Sequence, residues 1–200
     1  MDTRLSSDLS ARLRFIYETE KLKLVYRQNQ AVDGSRAENS AEHSWHTALM
    51  AMVLLPHADQ PGVDLLRVMK MLIIHDIVEI DAGDTFLYDK QGNLDKEERE
   101  TRAAKRIFGL LPETQCEELI SLWREFDARE TADAQFAAAL DSLHPLMNHL
   151  ASGGKGVKPH RLKTQQIIQK KRPIAEASQE LWDAAQEIIA ESEENGLYLK

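Results

Sequence analysis

Apolar residues recur at intervals of three and four along almost the whole of this 200-residue chain, and runs that alternate Val, Ile or Thr with polar residues are missing. Such intervals place side chains on one face of a 3.6-residue helix, whereas a half-buried strand needs a period of two. The spacing therefore predicts an all-α fold, a helical bundle. A first helix is expected from about Ser7 to Val25, with Leu9, Leu13, Ile16 and Leu24 turned to the core. Asn39 reads as an N-cap with Glu42 returning to it three residues later, so a second helix is expected to start there and run through Leu55 to Pro56. A third opens after "QPG", carries Leu65, Leu66, Met69, Leu72 and Ile73 on its apolar face, and closes at "DAGD". Further helices are expected from Leu94 to Phe108 (charged and well solvated), Glu113 to about Arg129, Thr131 to Leu150, over "TQQIIQKK", and from Pro173 to Glu194. The segment "ASGGKGVKPH" reads as a flexible loop. No internal repeat or low-complexity linker divides the chain, so one domain over residues 1–200 is expected.

Hydrophobic residues make up 42% of the chain and charged residues 29%, enough for one sizeable core. A formal charge of -8 and a pI near 5.4 argue against a nucleic-acid polymer or an anionic membrane as partner, because both need clustered Lys and Arg. A small charged substrate is still allowed where basic residues gather locally. Cys116 is alone, the start "MDTRLSSDLS" lacks the basic and apolar regions of a signal peptide, and the apolar runs are far too short to span a bilayer. These features are expected of a soluble cytoplasmic protein.

Against that background His75 and Asp76 stand out, side by side in the apolar stretch "MLIIHDIV". A histidine and a carboxylate there are costly unless paired or bound to a metal. His43, one turn into the second helix, offers another imidazole, and Asp141 in "FAAALDSLHPLMNH" offers a carboxylate beside an almost pure alanine turn that permits close helix approach. Two imidazoles and two carboxylates suit one divalent ion, whether Mn, Co, Fe, Zn or Mg, and leave coordination positions open. Glu79 follows His75 by four residues and Asp76 by three, so it shares their face, and Asp84 follows in a turn that Gly83 makes possible. Arg27 and Arg36 flank the loop that leads into the second helix, and a guanidinium fork fits phosphate oxygens. For Arg36 an ion pair with Glu42 or Asp76 is nearly as good a reading. His46 follows His43 by three and is either substrate-facing or a core-edge residue. Lys21 and Lys23 read as solvated, Lys155, Lys158 and Arg161 as exposed loop cations, and Trp45, Trp123 and Trp182 as packing residues. His144 and His149 are not needed to complete a metal shell, and His57 and His160 read as surface loop residues.

The order His, His-Asp, distant Asp resembles the HD-domain phosphohydrolases, a helical superfamily. "EKLKLVYRQ", "DGSRAENSAEHSWH", "HDIVEIDAGD" and "ALDSLHPLMNH" together are similar to its branch of bacterial 5'-deoxynucleotidases and the HD-domain-containing protein 2 group. The resemblance covers roughly residues 12–160. It implies that His43, His75, Asp76 and Asp141 hold a divalent metal ion, that Glu79 and Asp84 position or activate water and protonate the leaving group, and that Arg27 contacts phosphate. It implies, further, hydrolysis of a deoxynucleoside 5'-monophosphate to nucleoside and phosphate, and a homodimer. The alternatives are hydrolysis of another nucleotide, such as a triphosphate or a guanosine alarmone, or a non-catalytic nucleotide-binding module that keeps the metal cage. Glu79 and Asp84 argue against the last, since a pure binder needs neither.

Overall fold

Asn39 fixes the frame of the helix that carries the first histidines. In the computed structural model, which describes residues 6–89 and 91–200, its side chain accepts the Glu42 N–H while the Glu42 carboxylate accepts the Asn39 N–H, the capping box expected from the sequence. Such a cap contributes about 1 kcal/mol. The first five residues of the polar start lie outside the described chain.

In chain order the elements are α1 (Ser7–Thr19), β1 (Tyr26–Gln30), β2 (Ala37–Asn39), α2 (Ser40–Leu54), α3 (Leu65–Ile74), α4 (Glu79–Ala82), α5 (Lys96–Phe108), α6 (Glu113–Ala128), α7 (Ala132–Ala151), α8 (Thr164–Lys171), α9 (Ile174–Ala177) and α10 (Gln179–Glu194). The fold is all-α apart from β1 and β2, which pair antiparallel with Tyr26 opposite Asn39 and Gln30 opposite Ala37. Strands this short and polar carry no alternation to detect. α7 is the central post, touching α2, α3, α6, α9, α10 and β1. Its buried Ala134, Ala137, Ala138 and Ala139 let neighbouring helices approach closely, as the alanine turn suggested.

Several faces differ from expectation. α1 stops at Thr19 and a 3-10 turn follows over Glu20–Leu24, which resets the phase. Phe15 and Leu22 are buried in consequence, Leu13 is half-buried, and Leu9, Ile16 and Leu24 are exposed. In α3 the buried set is Val68, Met71, Leu72 and Ile74, while Leu66 and Ile73 face outward. Both sides of that helix are apolar, so periodicity alone could not choose between them. The chosen side runs Val68, Met71, Leu72, His75, delivering the histidine to the interior. α5 is not a solvated helix: Ala103, Ala104, Ile107 and Phe108 are buried, and buried Glu100 pairs with Lys96 at 2.9 Å. The expected last helix is broken at Ser178, whose extended backbone ends α9 and whose hydroxyl caps α10 by accepting the Leu181 N–H at 3.1 Å. The Cys116 thiol is free, and among the described residues no helix is long and apolar enough to cross a membrane.

The end of the described chain packs against the segment leading into α8 and, through His149, reaches β1. Leu199 donates its N–H to the Leu162 carbonyl and accepts from the Thr164 N–H, both at 2.8 Å. Tyr198 hydroxyl lies 2.8 Å from His149 Nδ1, and His149 Nε2 lies 3.0 Å from Asn29 Oδ1 on β1. His149 thus joins α7, β1 and the chain end. Burial pushes its pKa from 6.5 down to about 3, with Lys171 and His160 adding to the effect. A folded pKa below the unfolded one gives stability that is fully present above about 6.5 and is lost as pH falls towards 3. We therefore expect urea midpoints of the wild type to fall across that window, and those of His149→Gln to fall less; identical pH profiles would remove His149 from this role.

Candidate active site

α3 gives way to a 3-10 turn over His75–Val78, in which the two adjacent polar residues His75 and Asp76 are both buried. His75 Nδ1 donates to the Leu72 carbonyl at 2.8 Å, which fixes the tautomer and leaves Nε2 facing the interior. Nε2 is buried without a hydrogen bond, 3.1 Å from Asp76 Oδ1 and 3.6 Å from Asp141 Oδ1. From α2, His43 Nε2 comes within 2.8 Å of the same Asp141 oxygen. Asp141 sits one turn before Pro145 of α7, so its carbonyl lacks the usual i+4 N–H partner. The four residues singled out as metal ligands are thus brought together from α2, the turn after α3, and α7. The ligand atoms of His43, His75 and Asp141 all lie within 4.8 Å of one another.

The electrostatics fit a cation. Burial alone would raise the Asp141 pKa, yet the two imidazoles hold it well below the carboxylate range. Burial, with Arg27 adding, pushes His43 down to about 4, so its ring is neutral. Burial also opposes a charge on His75, but Asp76 and Asp141 outweigh it and hold the ring at about 9. A buried ring nitrogen set among carboxylate oxygens without a hydrogen bond is what a divalent ion requires, since the ion displaces the proton that otherwise occupies the position.

Behind these groups lies a chain of histidines. His43 Nδ1 and His144 Nδ1 are 3.0 Å apart, as are His144 Nε2 and His46 Nδ1. Burial, then His43 and His46, push His144 down to about 2, so the relay is neutral at its centre. Glu38, buried and pushed up to about 7 by that burial, accepts from Asn148 at 3.1 Å and lies 3.8 Å from His43 Nδ1. Sequence reasoning missed Glu38, which carries no motif of its own. It gave His144 no role in the metal shell, and the structure places it behind His43. His46, for which the sequence leaves substrate-facing and core-edge positions both open, is half-buried against His144 and does not line the cavity.

The cavity, about 260 Å³, is lined by Arg27, His75, Asp76, Glu79, Asp84 and Asp141 at the cluster, with Phe86, Tyr88, Trp123 and Phe126 on its walls. Arg27 Nη1 donates to Asp76 Oδ2 at 2.5 Å. Glu79 accepts from Ser40 Oγ at 2.7 Å. Burial, with Asp76 adding and Arg27 opposing, raises the pKa values of both Glu79 and Asp84. Arg36, for which the sequence makes an ion pair with Glu42 or Asp76 nearly as good a reading as substrate contact, lies outside the lining with its fork held by Glu42 at 2.6 and 2.8 Å, because the capping carboxylate is the nearer anion. Lys21 and Lys23 pair with Glu18 and Glu20, Trp45 is 65% exposed, and Lys155, Lys158 and Arg161 do not line the cavity. His160, read as a surface residue, stacks on Phe86 at 4.2 Å. Lys171, which the sequence did not single out, lines the cavity and is buried. The available signal was its position four residues after Ile167, on the same helix face.

If His144 orients His43, then His144→Ala should weaken divalent-metal binding by about 10- to 100-fold while the helical circular dichroism is kept. Chelator competition reads this, and unaltered metal affinity would reject the orienting role.

With this geometry in place, comparison adds a lineage. Residues 19–182 match the HD domain family. The chain is 33% identical over 138 residues to 5'-deoxynucleotidase HDDC2 of Homo sapiens, an alignment spanning 69% of this chain and 63% of the human protein. It is 30% identical over 151 residues to the Mus musculus protein of the same name, spanning 75% of this chain and 74% of the relative. A crystal structure described as a predicted metal-dependent phosphohydrolase from Magnetospirillum magnetotacticum MS-1 superposes with a TM-score of 0.92 at 46% identity, over 97% of each chain. A Pyrococcus horikoshii OT3 protein shares the fold at a TM-score of 0.62 and 21% identity, over 92% of this chain and 99% of its own.

Proposed function

The chain belongs to the HD domain family, and from that premise we propose that it is a metal-dependent phosphohydrolase that cleaves deoxynucleoside 5'-monophosphates to deoxynucleoside and phosphate. The observation that carries the reading is His75 Nε2, buried without a hydrogen bond beside Asp76 and Asp141, at a cavity that Arg27, Glu79 and Asp84 also line. The names of the human and mouse relatives support the substrate class, and the Magnetospirillum protein supports the reaction class.

In this reading His43, His75, Asp76 and Asp141 hold one divalent ion. Bound there, such an ion supplies Lewis acidity at a phosphoryl oxygen and acidifies water. Arg27, already anchored on Asp76, presents its remaining guanidinium donors to the ester's oxygens. Water attacks phosphorus directly, so no covalent enzyme intermediate forms. Glu79 and Asp84, both raised by burial, divide the proton traffic: one relieves the attacking water of its proton and the other gives a proton to the departing sugar oxygen. A carboxyl that burial makes hold its proton more tightly suits the second task. We also read residues 1–200, which no repeat or low-complexity linker divides, as one domain of a cytoplasmic protein and, on the strength of the family resemblance, as a homodimer; a monomer in sedimentation at micromolar concentration would remove the dimer.

The deciding measurement is phosphate release from ribo- and deoxynucleoside monophosphates, triphosphates and guanosine alarmones after metal removal and re-addition of single ions. Deoxynucleoside monophosphates should be cleaved fastest and only with metal. Glu79→Ala should keep metal and substrate binding and lose about 10²- to 10⁴-fold in kcat. Asp84→Ala is its companion, and near wild-type kcat in both variants with metal content verified would sink the proton-transfer assignment. Arg27→Lys should also lose catalytic efficiency, because a point charge cannot reproduce the fork.

A further inference from the structure

Lys171 ends α8, and its side chain is 7% exposed. It lines the same cavity as Asp76, Glu79, Asp84 and Asp141. Among the described residues it makes no ion pair or side-chain hydrogen bond, and the charges that act on it do so at longer range: Asp141, Arg27 and Arg129. Burial pushes its pKa down to about 8, with Asp141 pulling the other way, which leaves the ammonium charged at neutral pH. A cation on the lining of a cavity, with no carboxylate of the described residues in ion-pair range, leaves there a positive charge that an anion can neutralise. Arg27 does not have its full charge to offer, since Asp76 already takes one of its nitrogens at 2.5 Å.

We propose that Lys171 is a phosphate-binding residue, its ammonium donating to a non-bridging oxygen of the phosphoryl group that Arg27 also contacts, so that a cation from α8 and a cation from β1 hold the ester between them. The proposal rests on the phosphohydrolase reading for its ligand. A phosphate dianion supplies the missing counter-charge, and three ammonium protons meet oxygen acceptors without a fixed orientation. A lysine reading the nucleobase or a second, remote phosphate would line the cavity equally well. Inorganic phosphate separates the cases because it carries neither.

The test is calorimetric binding of inorganic phosphate to the metal-loaded protein. Lys171→Met keeps the apolar stem and should weaken phosphate binding by about 10- to 100-fold, the loss expected for a charge-assisted hydrogen bond, with metal content unchanged. Lys171→Arg should keep most of the affinity. Unchanged phosphate affinity in Lys171→Met overturns the proposal. If that variant does not fold, the wild type still decides: phosphate should slow acylation of Lys171 by acetic anhydride, read by peptide mass spectrometry, and equal modification with and without phosphate overturns the proposal as well. Binding requires no turnover. A protein that binds phosphate through Lys171 but cleaves no ester would refute the phosphohydrolase reading alone, and one that cleaves esters with Lys171→Met binding phosphate normally would refute this proposal alone.

Discussion

One carboxylate oxygen of Asp141 stands 2.8 Å from one imidazole and 3.6 Å from another, and the surrounding structure is arranged so that this meeting can occur inside a protein. The three groups arrive from α2, the turn after α3, and α7, so any loosening of that helix triangle separates them. The alanine face of α7 lets α2 and α3 come close. The capping box at Asn39 fixes where α2 begins and hence the angle at which His43 enters. His75 and Asp76, neighbours in the 3-10 turn after α3, are both buried, so one short element delivers an imidazole and a carboxylate to the site.

Such an arrangement is expensive in isolation. Removing one member of a buried charged set typically costs roughly 3–5 kcal/mol, mainly because the others lose their partner. The cavity joins carboxylates from Asp76, Glu79, Asp84 and Asp141 with the cations of Arg27 and Lys171, in a chain whose formal charge is -8. Burial, with Asp76 adding, raises Glu79 and Asp84, and Asp76 and Asp141 hold His75 at about 9 despite burial. These are the properties of a site organised around an ion and an anionic substrate, and they are bought with stability that apolar residues at the same positions would have supplied.

Much of this was legible in the sequence because polar residues in apolar helices are conspicuous. His75 and Asp76 break the run "MLIIHDIV", and Asp141 breaks "FAAALDSL", so each demanded a partner before any coordinates were known. The Asn39 and Glu42 spacing gave the start of α2 within a residue. What stayed hidden has physical causes. The pairing of β1 with β2 rests on backbone bonds between polar side chains, which leave no period. The true faces of α1 and α3 were unreadable because a 3-10 turn shifts one phase and apolar residues cover both sides of the other. Glu38, His144 and Lys171 were passed over because their surroundings come from distant segments, and a charged residue standing alone in sequence looks the same whether it meets water or an interior. Arg36 could be read two ways, since its loop position suggested substrate while the adjacent cap carboxylate offered a partner for its fork.

The floor of the cavity and part of its wall are held from different stretches of the chain. The floor, from Arg27 to Asp141, falls wholly within residues 19–182, the stretch shared with the family. Part of the wall is braced from outside that stretch, where Tyr198 holds His149 and His149 holds Asn29. Two relatives can therefore keep the same chemistry and diverge in which molecules they admit, through changes at the far end of the sequence that leave every reactive side chain in place. Selectivity in this architecture can drift without touching catalysis, and a substitution at Tyr198 would disturb the brace long before it reached the cluster.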